Sequence, residues 1–149
     1  MSLERAKEYA FLLLKFRQRS EKEISARLKK KNFQEKIIKQ TLAFLREKAF
    51  IDDESFARAW INQRVKRPYG LRRITRELRI KGIDEECVAG ILQELKESYN
   101  EEEVVRRLAK ERFDRIKGIE PPKAKKRIYS YLLRRGFSPE IIIACINNL

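Results

Sequence analysis

Residues 71–84 read Leu71-Arg72-Arg73-Ile74-Thr75-Arg76-Glu77-Leu78-Arg79-Ile80-Lys81-Gly82-Ile83-Asp84, and the fold follows from this stretch. Ile74 and Leu78 are four residues apart and share one face of a helix. Gly82 is the left-handed residue that ends it. Ile83 is apolar, and Asp84 stands where the next helix needs an N-cap. The motif is therefore helix, tight turn, helix.

The same register recurs before and after it. With Ile24, Ile74 and Ile128 as anchors, Leu28, Leu78 and Leu132 stand four residues on, and Asn32, Gly82 and Gly136 eight on. Next come Phe33, Ile83 and Phe137, then the pairs Ile37-Ile38, Cys87-Val88 and Ile141-Ile142. Each copy closes on Leu45, Leu95 or Leu149 after Leu42, Leu92 or Ile146. Ser138 with Pro139 repeats the cap of the second copy. Phe33, Ile83 and Phe137 can each staple onto the apolar residue five places later.

A longer helix precedes each pair. Aligned on Arg17, Arg64 and Arg112, it places Tyr9, Phe56 and Val104 eight residues earlier and Leu13, Trp60 and Leu108 four earlier, as candidate core positions. Asp52 or Asp53 caps the second of these helices, and Asn100 with Glu103 forms a capping-box pattern for the third. Pro68 and Gly70 lengthen the connector in the second copy; Gly118, Pro121 and Pro122 mark the longest one, in the third. The expected architecture is all-α: three tandem three-helix repeats, residues 1–48, 49–98 and 99–149, in an elongated array able to curve. Units of about 50 residues are small for independent stability, and stacking buries what one alone leaves exposed.

Composition supports an ordered helical chain. Of 149 residues, 42% are hydrophobic and 39% charged, with only 5 Gly and 4 Pro. No apolar run is long enough to cross a bilayer, and no leader pattern is visible, so a cytoplasmic protein is expected. Cys87 and Cys145 fall on apolar stripes and read as small buried hydrophobes. There is no His and no CxxC, so neither a metal site nor a disulfide is expected. Phosphate-cradling and nucleophile-elbow motifs are missing, and Asp52-Asp53 is accounted for as a cap. The reading is of a protein that is not an enzyme and takes no cofactor.

The net charge of +14 concerns partners: nucleic acid, an anionic membrane surface or an acidic protein. It is unevenly placed. Residues 17–31 hold seven basic and two acidic residues, 64–81 hold eight and one, and 123–135 hold six and none. Each stretch is the middle helix of a repeat with its approach. The candidate binding face comprises Lys22, Lys29, Arg64, Lys66, Arg67, Arg72, Arg73, Arg76, Arg79, Lys81, Lys123, Lys125, Lys126 and Arg127. Lys31, Lys81 and Arg135, at helix ends, also complement the helix dipole without any ligand. Lys22, Arg72 and Lys126, near helix starts, have no such explanation. Arg72, Arg76 and Arg79 form one stripe opposite Leu71, Ile74 and Leu78, with Glu77 able to pair with Arg73 or Lys81.

A helix-turn-helix reader of duplex DNA is the competing reading. Its base-reading side chains belong on the second helix of the pair, which here opens Asp84-Glu85-Glu86 in one copy and Pro139-Glu140 in another. Basic residues on the preceding helix suit phosphates instead of base edges. Tyr69, Tyr129 and Tyr131 lie among the cations and are candidates for stacking on exposed bases.

Arg19-Ser20-Glu21 leading to Ile24 and Leu28, the stretch Phe50-Ile51-Asp52-Asp53-Glu54-Ser55-Phe56-Ala57, Arg64 followed by Gly70, and Ile74, Glu77-Leu78 and Lys81-Gly82-Ile83 together resemble the RecX family of recombinase regulators. The resemblance runs over about residues 6 to 149 and is strongest in the middle repeat. It departs at Asn32, where Gly is common, and at the long connector of the third repeat. It implies tandem three-helix repeats that bind the RecA recombinase and its filament on single-stranded DNA, lie in the filament groove, and modulate filament growth, ATP hydrolysis and strand exchange. Single-stranded DNA, with duplex DNA second, is the expected nucleic-acid partner and no membrane partner is expected; three internal repeats lessen the need for oligomerisation, so a monomer is expected. A nonspecific nucleic-acid-binding module, a transcription factor and a basic protein-binding scaffold remain as alternatives.

Overall fold

The computed structural model describes residues 2–149, and among these it contains nine helices and no strand. They are α1 (Leu3–Phe16), α2 (Glu21–Lys30), α3 (Glu35–Glu47), α4 (Asp53–Lys66), α5 (Leu71–Ile80), α6 (Glu85–Leu95), α7 (Glu101–Arg115), α8 (Pro121–Arg134) and α9 (Pro139–Ile146). The helices fall into three triplets, each the expected long helix followed by a helix-turn-helix pair. By compactness the chain forms two units: residues up to Trp60 with Leu78–Cys87, and Ile61–Glu77 with Val88–Leu149.

In the first unit α1, α2 and α3 pack on one another around Ala6, Ala10, Leu13, Ile24, Leu28, Ile38, Leu45 and Ile51. In the second, α7, α8 and α9 do the same around Val105, Ala109, Ile128, Leu132, Phe137, Ile142, Cys145 and Ile146. Each large apolar side chain fully removed from water contributes about 1.5–3 kcal/mol. The anchors Ile24, Ile74 and Ile128 and their partners Leu28, Leu78 and Leu132 are all buried, as the periodicity predicts.

Two core positions differ from expectation. On the long helices Leu13 and Phe56 are buried as expected, but the rest of the buried stripe lies one residue later. Ala10, Ala57 and Val105 are buried, as are Ile61 and Ala109, whereas Tyr9, Val104, Trp60 and Leu108 are only half-buried. Small side chains permit the closest helix approach, and the larger ones cover the margin. On the third helix of each repeat, Thr41, Ile91 and Cys145 are buried at one equivalent position. Thr41 disguises that position in the sequence, because its hydroxyl is satisfied locally by the Ile37 carbonyl at 2.7 Å.

The turns form as read. Asn32, Gly82 and Gly136 have φ of 68°, 81° and 97°. Ser138 accepts from the Ile141 amide at 3.4 Å, and Asp84 from the Glu86 amide at 3.1 Å. Asn100 accepts from the Glu103 amide at 3.2 Å. The box that closes in both directions is Ser20 with Glu23, at the start of α2. Of the two aspartates at the start of α4, Asp52 is the cap, accepting from the Glu54 and Ser55 amides at 3.0 and 3.2 Å. Asp53 has another task. Cys87 and Cys145 are free thiols, half-buried and buried, and burial raises the pKa of both. Among the described residues no helix is long and apolar enough to cross a membrane.

Candidate functional site

The middle helices α2, α5 and α8 carry the cations, and their ends are where the repeats meet. In the first unit the end of α5 abuts the start of α2. Ser20 donates its hydroxyl to the Lys81 carbonyl at 2.8 Å. The Lys81 ammonium reaches Glu23 at 2.9 Å, and Glu23 also takes Arg17 at 2.6 Å. Burial opposes ionisation of Glu23, but the hydrogen bonds from Arg17, Lys81 and the Ser20 amide outweigh it and hold its carboxyl down at about 2. Lys81 also lies over the Trp60 ring, 5.2 Å from its centre.

In the second unit the end of α8 abuts the start of α5 at the corresponding residues. The Gly70 amide donates to the Arg135 carbonyl at 2.8 Å and the Arg72 amide to the Gly136 carbonyl at 3.2 Å. Arg64, Arg73 and Arg135 gather on the Tyr69 ring at 4.6, 4.2 and 4.1 Å. Arg64 forks onto Glu77, which raises the pKa of the guanidinium, and Arg73 reaches the same carboxylate at 3.4 Å. Arg135 donates to the carbonyls of Arg67 and Pro68.

A carboxylate borrowed from the following repeat completes the starts of α2 and α5. Asp53, the first residue of α4, accepts from the Glu21 amide at the start of α2 at 2.9 Å. Glu101, the first residue of α7, accepts from the Leu71 amide at the start of α5 at 3.2 Å. Burial raises the pKa of both acids. The start of α8 lies one turn further out, on Pro121 and Pro122, which have no N–H to offer; in the shared register Glu21 and Leu71 correspond to Lys125, already inside the helix.

The candidate cations accordingly divide by environment. Lys22, Lys29, Lys66, Arg67, Arg72, Arg76, Arg79, Lys123, Lys126 and Arg127 are exposed. Arg64, Arg73, Lys81 and Lys125 are half-buried, and the first three are held by Glu77 or Glu23. Their local pairing gives those three a structural task at the junctions. The α5 stripe stands as read: Arg72, Arg76 and Arg79 face solvent while Ile74 and Leu78 are buried, and Arg79 makes only an exposed pair with Glu85 at 3.1 Å. Tyr69 is covered by guanidinium groups and is not an open stacking platform. Lys123, Lys126 and Arg127 line an open cleft of about 730 Å³ together with Arg112, Arg115 and Arg134. Those last three are not among the candidate binding cations; Arg112 and Arg115 belong to α7, and the sequence does not show which side of α7 meets α8.

Family models for the three consecutive three-helix domains of RecX match in chain order. The first domain matches residues 6–45, the second 52–92 and the third 100–146. The chain belongs to the RecX family. A regulatory protein RecX of Mannheimia succiniciproducens is 34% identical over 141 residues, covering 94% of this chain and 91% of the relative. One from Mycobacterium sp. is 32% identical over 145 residues, covering 94% and 79%. A crystal structure of RecX from Lactobacillus salivarius superposes with a TM-score of 0.80 at 22% identity, covering 99% of this chain and 96% of that one. A further crystal structure of regulatory protein RecX gives the same score at 23% identity, covering 99% and 72%. These two likenesses bear on the fold, and they agree with the three-repeat architecture seen here. Relative to the RecX resemblance read from the sequence, Gly82 of Lys81-Gly82-Ile83 is accounted for by its close approach to the Lys22 side chain. Ser20 of Arg19-Ser20-Glu21 is accounted for by its bonds to both Glu23 and Lys81.

Proposed function

We propose that this chain is a non-catalytic regulator that binds the RecA recombinase and its filament on single-stranded DNA. There it restrains filament growth, ATP hydrolysis and strand exchange. The observation that carries the reading is RecX family membership along all three repeats. Ten exposed cations on or beside the middle helices support it, since they suit DNA phosphates or an acidic recombinase surface. Contact of this kind is largely independent of sequence. Arg72, Arg76 and Arg79 are its central element on α5, and the repeats 1–48, 49–98 and 99–149 are its modules. The protein acts as a monomer in the cytoplasm, needs no cofactor, and meets duplex DNA as a secondary partner. The helix-turn-helix reading is disfavoured because α6, which would read bases, opens on the exposed acids Glu85 and Glu86.

The test is the DNA-dependent ATPase rate of a matched RecA on single-stranded DNA, with this protein titrated in at fixed salt. Inhibition well below the concentration that coats the DNA is expected. Inhibition only near DNA saturation would indicate competition for phosphates. No effect with DNA binding intact would overturn the recombinase reading. Replacing Arg72, Arg76 and Arg79 together by Glu is expected to weaken inhibition while helicity is preserved.

A further inference from the structure

The arginines that close the long helices show what is unusual about the third repeat. Arg17, Arg64 and Arg112 occupy one register. Arg17 is taken by Glu23 and Arg64 by Glu77, each a glutamate from the middle helix of its own repeat. In the third repeat the positions of those glutamates are filled by Arg127 and Tyr131, and α8 contains no acidic residue at all. Arg112 turns onto the Tyr131 ring instead, 3.6 Å from its centre. Five more cations join it around the cleft: Arg115, Lys123, Lys126, Arg127 and Arg134. Among the described residues none of these six is in an ion pair, and no acid lines the cleft.

Six like charges around one cleft repel each other, and the fold offers no internal counter-anion there. The two other repeats show that the fold can supply one. We propose that this cleft binds the phosphodiester backbone of a single nucleic-acid strand, whose phosphates take the place of the missing glutamate; the proposal rests on the nucleic-acid reading above. Arginine forks suit phosphate oxygens bidentately, and the Ser130 hydroxyl at the wall adds a donor. The volume of about 730 Å³ fits a ligand-sized segment and not a duplex. A flexible strand can turn its phosphates into a recess, which the outer surface of a rigid duplex cannot do.

Binding of a fluorescent oligothymidylate to the full chain, read by anisotropy over a range of salt, tests this. Arg127→Glu restores a carboxylate in the register of Glu23, so it should fold while quenching the cleft. It is expected to weaken binding at least tenfold and to lower the salt slope by roughly 0.7 for each phosphate that the cleft no longer neutralises. Lys123→Glu, in the first turn of α8 where the helix dipole favours an acid, should act in the same direction and guards against a folding artefact. Lys110→Glu, exposed on α7 outside the cleft and equal in charge change, should stay within twofold of the wild type. Equal weakening by all three variants would overturn the cleft. So would a duplex that binds as tightly and loses as much with Arg127→Glu, or full displacement of the strand by ATP at matched phosphate concentration. A wild-type chain that binds no strand would overturn the nucleic-acid reading itself, which is a separate failure.

Discussion

At the start of α2, Ser20 turns its hydroxyl onto the Lys81 carbonyl. At the start of α5, Gly70 stands in the same register and brings its own amide to the Arg135 carbonyl instead. That one difference sets the chemistry of each junction. With a side chain in the gap, the first junction closes through side chains: Ser20, Glu23, Lys81 and Arg17. Without one, the second closes backbone to backbone, and Arg64 and Arg73, paired with Glu77, stack with Arg135 on Tyr69. A repeat fold thus keeps its geometry while changing which interactions hold it, because the geometry requires only that the end of one middle helix reach the start of another.

The largest expected effect separates the two junctions by their glycines. A Cβ at Gly136 would overlap the Arg73 backbone as well as its Cβ, whereas the nearest atoms to one at Gly82 are the Cβ, Cδ and Cγ of Lys22 and no backbone atom is among them. Both glycines have positive φ. Gly136→Ala should therefore cost about 3–4 kcal/mol, strain plus overpacking, and Gly82→Ala about 1–2 kcal/mol. Urea denaturation of the two variants checks this, and equal losses would break the distinction.

Acid should loosen the first junction. Glu23 is held down at about 2, below its unfolded value of about 4.3. Its contribution is present above the unfolded value and is lost as pH falls through about 2. Glu23→Gln should cost about 1.5–3 kcal/mol at neutral pH and flatten the acid dependence. Trp60, the sole tryptophan, lies against Lys81 and reports on this junction by fluorescence. Hydrogen exchange at the Gly70 and Arg72 amides reports on the other, and should be nearly unchanged.

The borrowed carboxylates should behave in the opposite sense. Burial raises the pKa of Asp53 and Glu101, so the folded state holds their protons more tightly than the unfolded chain. Acidification through their raised pKa values therefore adds stability and does not remove it. Asp53→Asn and Glu101→Gln keep an acceptor and should be neutral or slightly stabilising, while Asp53→Ala should lose about 1 kcal/mol. Thermal unfolding of these variants decides the sign.

Smallest of all should be Arg79→Ala, which breaks only an exposed pair with Glu85 and should cost less than about 0.5 kcal/mol. If Arg79 belongs to the binding face, inhibition of the RecA ATPase should fall in the same variant without a change in melting temperature.

Residue spacing determined much of this molecule. The anchors at Ile24, Ile74 and Ile128, the turn residues Asn32, Gly82 and Gly136, and the caps Asp84, Asn100 and Ser138 act within one or two helical turns, so helical periodicity and local hydrogen bonding make them legible. The concentration of charge on the middle helices was legible for the same reason. What the tertiary structure decided lies between elements distant in sequence. Asp53 reads as a cap for its own helix and serves α2. Lys81 reads as a helix-end cation within reach of Glu77 and is tied to Glu23, while Glu77 is taken by Arg64 of the preceding helix. The cleft at Arg112 and Arg127 shows only when α7 and α8 are set side by side. A charged side chain carries no mark in the sequence of whether it faces water or a buried counter-ion. That depends on which helix end is brought against it, and packing alone makes the choice.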